Sequence, residues 1–252
     1  SEVFGLDGPW HEPLAWAVKA ALEGGPADPP VHVDAGTLPE ACRGDAHLAP
    51  VAPARVAVLV GSPRPTGQST SESLARELLV ALKAPEVTFH HALPLAKDGA
   101  HTRRTIDALA DADLLVVASP LYVDALPSVA TRALELLSRR LASGPARLRR
   151  VVGLLNCGFP EATHTRSAMR LVRAFTHQSG LEWAGGLALG GGEAVHGRPV
   201  DEVRWMLRGQ LQGLASAGQA LARGEAVPPD ASAAMAQPLV WPRFYRWLAT
   251  FE

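Results

Sequence analysis

From residue 55 onward, short runs of consecutive apolar residues alternate with longer segments whose apolar residues recur at helical spacing. Runs such as Val56–Val60 are rich in β-branched residues, which is typical of strands that are covered on both faces. Segments such as Ser69–Leu82 carry one apolar stripe, which is typical of a helix packed on a sheet. Five strand–helix units in succession predict an α/β fold with a doubly wound parallel sheet. The predicted strands cover residues 56–60, 87–91, 113–119, 151–156 and 181–189, and the predicted helices cover residues 69–82, 102–110, 127–141, 160–178 and 201–223.

Two flanking segments lie outside this pattern. A helical stretch at His11–Leu22 is followed by the proline-rich stretch Gly24–Pro53, in which no long helix or central strand is expected. We interpret residues 1–54 as an arm or a linker and residues 55–224 as the main domain. In the tail, residues 225–252, we expect an aromatic helix that packs on its own domain or, alternatively, forms a dimer contact. Its apolar stripe consists of Phe244, Trp247, Leu248 and Phe251.

Composition and charge narrow the class of protein. The 24 lysines and arginines nearly balance the 25 acidic residues for a net charge of −1, so we predict no nucleic-acid partner. No apolar run approaches the roughly 18 residues that a membrane span needs, so we expect no membrane span. Cys42 and Cys157 form neither a CxxC motif nor a dense disulfide pattern, which favours a cytoplasmic protein. We predict no metal site, because His90 and His91 point to opposite faces of a predicted strand.

The loop after the first predicted strand, Gly61–Ser71, is the first place where a ligand is expected, because ligands of such sheets bind beyond the carboxyl ends of the strands. It offers hydroxyls, an arginine and backbone N–H groups at a helix start, where the helix dipole favours an anion such as phosphate. It is not a Walker A loop, because Gln68 stands where lysine is required, and it lacks a GxGxxG motif. Alternatively, Ser69 caps the helix and Glu72 completes an S-x-x-E capping box. A phosphate in this turn requires the Glu72 carboxylate to point away.

The loops after the third and fourth predicted strands are largely apolar. In residues 119–127, Tyr122 and its aliphatic neighbours would form a wall for a flat heterocycle or, alternatively, pack on a neighbouring subunit or loop. In the fourth-strand loop, Gly158 allows a ring to approach the backbone. Cys157 has no histidine or lysine beside it in sequence, which favours a buried or edge thiol over a nucleophile. The three glycines at 190–192 either let the fifth loop approach a ligand or partner subunit, or form a plain flexible turn.

The chain resembles the flavodoxin-like NAD(P)H-dependent FMN reductases and quinone reductases in three segments: GSPRPTGQST at 61–70, DADLLVVASPLYVDALPS at 111–128 and NCGFPEATHT at 156–165. The resemblance covers about residues 55–223. It implies a flavodoxin-like five-stranded parallel sheet of order 2-1-3-4-5 with helices on both faces, and bound FMN with NAD(P)H as co-substrate. The implied contacts are Ser62, Arg64, Gln68, Ser69 and Thr70 at the FMN phosphate, Pro120, Leu121, Tyr122 and Val123 along the ribityl chain and ring, and Asn156, Cys157, Gly158 and Phe159 at the other edge of the ring.

The same resemblance implies an oxidoreductase that passes hydride from NAD(P)H through FMN to a small-molecule electron acceptor, such as a quinone, flavin, azo or nitro compound. It also implies a homodimer or homotetramer. His164 is a candidate proton donor to the acceptor, and the alternative is a solvated residue in the first turn of a helix. A flavodoxin-type electron carrier is disfavoured by the net charge of −1, since such carriers tend to be strongly acidic. A non-catalytic binding protein of the same fold is disfavoured by the intact Ser62, Arg64 and Tyr122.

Overall fold

A single parallel sheet organises the chain. The computed structural model describes residues 37–239 except residues 196 and 199. Within them, five parallel strands follow the order β2-β1-β3-β4-β5, which confirms the flavodoxin-like fold that the sequence predicts. The predicted helix at 11–22 and the predicted tail helix at 241–251 lie outside the described residues. The strands are β1 (Arg55–Val60), β2 (Glu86–His91), β3 (Leu114–Pro120), β4 (Arg150–Asn156) and β5 (Glu182–Leu189).

Helices cover both faces of the sheet. Consecutive residues of a strand point to opposite faces, so the apolar run of β1 contributes alternately to two hydrophobic clusters. Short 3-10 turns lie at Leu93–Ala96 and Ala162–Thr165. The α-helices are α1 (Leu38–Cys42), α2 (Thr70–Leu82), α3 (Ala100–Ala110), α4 (Ser128–Ala142), α5 (Arg166–Gln178), α6 (Gly192–Val195), α7 (Val200–Val203), α8 (Arg208–Ala222) and α9 (Pro229–Met235).

The two clusters separate the helices into two layers. Side chains of α1, α3, α4 and α5 pack on one face, and side chains of α2, α8 and α9 pack on the other. Helix α1 precedes the sheet in sequence, yet its Leu38, Ala41 and Cys42 are buried in the first cluster. The domain boundaries at residues 54 and 224 stay predictions. None of the helices in the described part of the chain is long and apolar enough to cross a membrane.

The predicted helix over 201–223 is wrong in one respect, because the structure interrupts it. Helix α7 ends at Val203 and α8 begins at Arg208. Between them, the N–H groups of Met206 and Leu207 donate to carbonyls three residues earlier, and Leu207 is fully buried. No glycine or proline marks this turn, so the sequence carried no break signal, and tertiary packing overrides the helical periodicity.

The predicted helix over 160–178 also begins differently, because the 3-10 turn precedes α5. Its end agrees with the sequence, since Gly180 adopts a φ of +70°, the left-handed conformation expected after a helix.

Candidate functional site

The three loops singled out in the sequence meet in one cleft. It lies beyond the carboxyl ends of β1, β3 and β4, where the chain order in the sheet reverses between β1 and β3. The cleft has a volume of about 230 Å³. Predicted residues that line it are Ser62, Arg64, Ser69, Thr70, Pro120, Leu121, Tyr122, Asn156 and Gly158, and the structure adds Ser71, Gly192 and Glu193.

One end of the cleft is a set of hydrogen-bond donors at the start of α2. The N–H groups of Thr70 and Ser71 belong to the first helical turn, where no intrahelical acceptor exists, and the described residues offer them no other acceptor. Ser69 is the N-cap, and its Oγ accepts the Glu72 N–H at 3.2 Å. Ser62 is buried beside them, with its Oγ accepting the Arg64 N–H at 3.2 Å. These donors and the helix dipole suit an anion.

The Glu72 carboxylate points away from this anion site. The capping box is only half formed, because the carboxylate accepts the Gly67 N–H at 2.7 Å instead of the N–H of Ser69. Arg76 Nη2 donates to the other carboxylate oxygen at 2.6 Å. Glu72 does not line the cleft. Helix capping by Ser69 and an anion site at the same turn are therefore compatible.

Buried hydrogen bonds join the loops across the cleft. Ser71 Oγ donates to Asn156 Oδ1 at 2.7 Å, which links α2 to the end of β4. The Leu121 N–H donates to the Asn156 carbonyl at 2.8 Å, which links the loop after β3 to the same residue. Both bonds fix the spacing between the donor end of the cleft and its apolar side.

The loop after β5 also lines the cleft, through Gly192. Its N–H donates to the Cys157 carbonyl at 2.7 Å, and its carbonyl accepts the Thr70 hydroxyl at 3.1 Å. A Cβ at this position would lie 2.7 Å from Asn156 Nδ2 and 3.2 Å from the Cys157 carbonyl oxygen, so any larger residue would displace the Asn156 side chain. Gly192 therefore lets the fifth loop approach the loop after β4 closely, and the approach of the glycine run to a ligand or a partner subunit stays a prediction.

The loop after β3 ends in a tight hairpin turn at the rim of the cleft. The Tyr122 N–H donates to the Ala125 carbonyl at 2.9 Å, and the Ala125 N–H donates back at 3.2 Å. The two residues between them have positive φ, +51° at Val123 and +58° at Asp124. A β-branched residue in this region is a conformational outlier, and such strain concentrates at functional sites. The turn leaves Tyr122 half-exposed and Val123 fully exposed.

His164 lies against this hairpin rather than free in solvent. Its Nδ1 is 3.4 Å from Asp124 Oδ1, across the loops that follow β3 and β4. Its ring stacks on Phe159, with centroids 4.4 Å apart and planes at 28°. Phe159 is half-exposed. The described geometry thus gives His164 a carboxylate partner and an aromatic support beside the cleft.

Four predicted contact residues do not line the cleft. Gln68, Val123 and Phe159 are exposed around it, and Cys157 is buried beneath it. The Cys157 Sγ lies 3.5 Å from each of two carbonyl oxygens, those of Phe159 and Glu161. Burial raises the pKa of this thiol to about 11. The neutral thiol agrees with the structural interpretation of Cys157 and not with a nucleophile.

Three residues that line the cleft were not predicted from the sequence, each for a different reason. Ser71 stands within the first loop, and its hydroxyl is a signal that was present. Gly192 belongs to the noted glycine run. Glu193 carried no signal, because its position depends on α6. Its Oε1 lies 3.8 Å from Arg64 Nη2, and both side chains are well exposed, so this ion pair is weak.

A larger cavity of about 460 Å³ lies at the opposite end of the sheet, near the amino ends of β1, β3, β4 and β5. Two of its arginines are already paired: Arg147 Nε with Asp113 at 2.7 Å and Arg150 Nε with Glu182 at 2.7 Å. The cleft at the carboxyl ends is the better candidate site, because it combines an aromatic surface with backbone donors that have no acceptor among the described residues.

Comparison with known proteins agrees with this fold. A family model described as NADPH-dependent FMN reductase matches residues 54–194. The chain is similar in structure to an NADH:FMN oxidoreductase in its apo form, at 19% identity and a TM-score of 0.50 over 75% of this chain and 98% of that chain. It is also similar to an NAD(P)H:quinone oxidoreductase from Methanothermobacter marburgensis, at 16% identity and a TM-score of 0.49 over 66% of this chain and 98% of that chain. No curated protein matches the chain.

The family match spans all three cleft loops and more than half of the 252 residues. At such low identities, the likeness to the solved structures concerns the fold alone. Because the family model covers β1 to β5, the chain belongs to the NADPH-dependent FMN reductase family.

Proposed function

We propose that this chain is an FMN-dependent NAD(P)H oxidoreductase that passes hydride from a nicotinamide through FMN to a small acceptor such as a quinone, flavin, azo or nitro compound. One observation carries the proposal: a single cleft presents, at one end, N–H donors without an acceptor among the described residues, and at the other end the exposed ring of Tyr122, with the exposed Phe159 nearby. FMN has the matching shape, an anionic phosphate joined to a flat ring. The family match supports the same cofactor.

The donor end of the cleft fits a phosphate group. The N–H groups of Thr70 and Ser71 and the hydroxyls of Ser62 and Ser69 would hold its oxygens. Arg64, at the rim, would exchange its weak contact with Glu193 for a charge-assisted bond to phosphate. The fit depends on the Glu72 carboxylate facing Gly67 and Arg76, which is the arrangement described above.

The aromatic end fits a flat ring that stays open on one side. A volume of about 230 Å³ is below the roughly 300–1,000 Å³ that encloses a drug-sized ligand, so the cleft takes only part of FMN. The ring would extend over the exposed side chains of Tyr122 and Phe159. An uncovered face is what a nicotinamide and then an acceptor require, since each must reach the same cofactor in turn.

A bound flavin would supply the hydride-accepting centre, and the side chains position it and manage protons. Asp124 Oδ1 lies 3.4 Å from Nδ1 of His164, so we assign the transferable proton to Nε2, the other ring nitrogen. Phe159 fixes the plane of the imidazole. We propose that His164 gives this proton to the reduced acceptor.

Anaerobic titration of the FMN-reconstituted protein tests the proposal. We expect flavin absorbance to co-purify with the protein after reconstitution, to bleach with NADPH or NADH, and to return on adding a quinone. Colour that neither nucleotide bleaches would identify an electron carrier instead. A protein that gains no colour would be a cofactor-free binding protein.

The phosphate contact is tested separately with Arg64→Ala. Loss of one charge-assisted hydrogen bond is expected to weaken FMN binding by about tenfold in a fluorescence titration. Arg223→Ala is the matched control, because this exposed arginine pairs with Glu225 after α8 and does not line the cleft. Equal FMN affinity in the two variants would contradict the assigned phosphate site.

A further inference from the structure

A buried carboxylate lies directly behind the proposed anion site. Glu72 has no exposed surface, although it stands in the first turn of α2, next to the N–H donors of Thr70 and Ser71. Burial of a charge is unfavourable unless the group is paired and hydrogen-bonded. A carboxylate at this place also repels a phosphate, so its presence needs a structural reason.

Glu72 fastens the tip of the loop to the helix. Its Oε2 accepts the Gly67 N–H at 2.7 Å, and Gly67 has a φ of +79°, where the chain turns back toward α2. A further turn is closed by the Gln68 N–H, which donates to the Pro65 carbonyl at 3.1 Å. Residues 64–68 are all exposed, so packing does little to hold them. The bond from Gly67 to Glu72 therefore sets how the loop returns to the helix.

The charge of Glu72 is compensated on the side away from the cleft. Arg76 Nη2 lies 2.6 Å from Oε1, and its guanidinium rests over the Phe89 ring at 4.6 Å. His91 Nε2 lies 3.7 Å from Oε2. This compensation leaves hydrogen-bond geometry, rather than net charge, as the contribution of Glu72 to the anion site.

We propose that Glu72 is a positioning residue that holds the 61–69 loop in its phosphate-accepting shape and thereby makes the site select phosphorylated flavin over riboflavin. The inference rests on the proposed function, because it concerns the same cleft. Glu72 touches no part of the ligand and acts through the Gly67 N–H. The ribityl and ring contacts lie on other loops, so they do not depend on this bond.

Affinities for FMN and riboflavin, measured side by side, test the inference. Riboflavin lacks only the phosphate, so a general loss of structure lowers both affinities, whereas a misplaced phosphate loop lowers only that for FMN. We expect Glu72→Ala to bind FMN about tenfold more weakly, with riboflavin affinity within about twofold of the unaltered chain. Glu77→Ala is the matched control, because Glu77 lies on the same helix and faces Arg204 at 3.7 Å.

Two conservative variants separate geometry from charge, and they decide the question if Glu72→Ala does not fold. Glu72→Gln keeps the length and an acceptor oxygen, so FMN selectivity is expected to persist. Glu72→Asp keeps the charge but is one methylene shorter and cannot reach the Gly67 N–H, so selectivity is expected to fall about tenfold. Retained selectivity in Glu72→Asp with loss in Glu72→Gln would overturn the inference, as would equal losses for both flavins.

The outcome is distinguishable from failure of the proposed function. If the unaltered chain binds neither flavin, the proposed function fails. If the unaltered chain prefers FMN and none of the Glu72 variants changes that preference, the function stands and only the positioning role is refuted.

Discussion

Gly61 is the position where one added methyl group should do most damage to the site. It follows β1 directly, and its N–H donates to the Ala118 carbonyl at 2.8 Å. A Cβ there would overlap Ser119 Oγ, and it would lie 2.8 Å from Ser119 Cβ and 2.9 Å from Ala130 Cβ. Both neighbours have no exposed surface, and their side chains are too short to swing aside. Gly61→Ala must therefore push β1 and β3 apart or shift α4.

These contacts set the expected loss in the free energy of unfolding for Gly61→Ala. Overpacking of a filled core costs about 1–3 kcal/mol. Alanine also restricts the unfolded chain, which offsets about 0.4–1 kcal/mol. We expect Gly61→Ala to lower the free energy of unfolding by about 1–2 kcal/mol. For a chain of this size, each kcal/mol corresponds to a fall in melting temperature of about 2–4 °C.

Urea unfolding with a double-mutant cycle isolates the clash from other effects of alanine. Ser119→Gly removes both Ser119 atoms that the new methyl group meets, so the double variant should recover about 1 kcal/mol relative to the sum of the single changes. Gly209→Ala is the control, because Gly209 lies on α8 and a Cβ at this position would have no neighbouring described atom within 4 Å. This substitution should stabilise the protein by about 0.5 kcal/mol. Additivity of Gly61→Ala and Ser119→Gly within about 0.3 kcal/mol would refute the steric argument.

Four further predictions follow from the rim and the buried thiols. Val123→Asn should stabilise the protein by about 1 kcal/mol in urea unfolding, because asparagine tolerates positive φ and Val123 buries nothing; no change would argue against strain. Burial raises the pKa of Cys42 to about 12 and that of Cys157 to about 11, so neither thiol should react with a disulfide reagent at pH 8 until urea unfolds the chain. Because the unfolded thiols ionise near pH 8.5 while the native ones keep their protons, the free energy of unfolding should fall as pH rises from about 9 to 11, and less so in Cys42→Ala. His164→Ala should slow turnover with quinone by on the order of 100-fold, because it removes the proposed proton donor; unchanged turnover would leave His164 without a catalytic role.

The sheet and the position of the site were predictable because their signals are local in sequence. A buried strand reads as a continuous apolar run, and the loop that follows it stands next in the chain, as Gly61–Ser71 follows β1. The capping serine at 69 and the glycine at 180 are equally local. Each of these features can be predicted from the residues that flank it in the sequence.

The interior of the site was less predictable because its bonds join residues far apart in sequence. The pair of Ser71 and Asn156 spans 85 positions, and that of Thr70 and Gly192 spans 122. The interruption between α7 and α8 arises in the same way, from burial of Leu207 against the second cluster. No pattern of neighbouring residues encodes such contacts, so the loops are predictable from the sequence but the bonds that join them are not.

The distribution of backbone strain connects the fold with its proposed chemistry. In the described part of the chain, three residues other than glycine have positive φ. Lys83 ends α2 in the left-handed conformation that commonly closes a helix. The other two, Val123 and Asp124, are consecutive and lie at the rim of the cleft.

Each strained residue costs about 1–3 kcal/mol, so surrounding bonds must over-determine the turn. Those bonds are the two reciprocal backbone hydrogen bonds between Tyr122 and Ala125 and the hydrogen bond from the Leu121 N–H to the Asn156 carbonyl. An Asn-Gly turn would make the same hairpin without strain, but it would lack the carboxylate of Asp124 that faces His164. The strained turn therefore places the Tyr122 ring at the cleft and the Asp124 carboxylate against the His164 imidazole beside it. We propose that the turn keeps this strain because the arrangement serves the bound ligand and its chemistry.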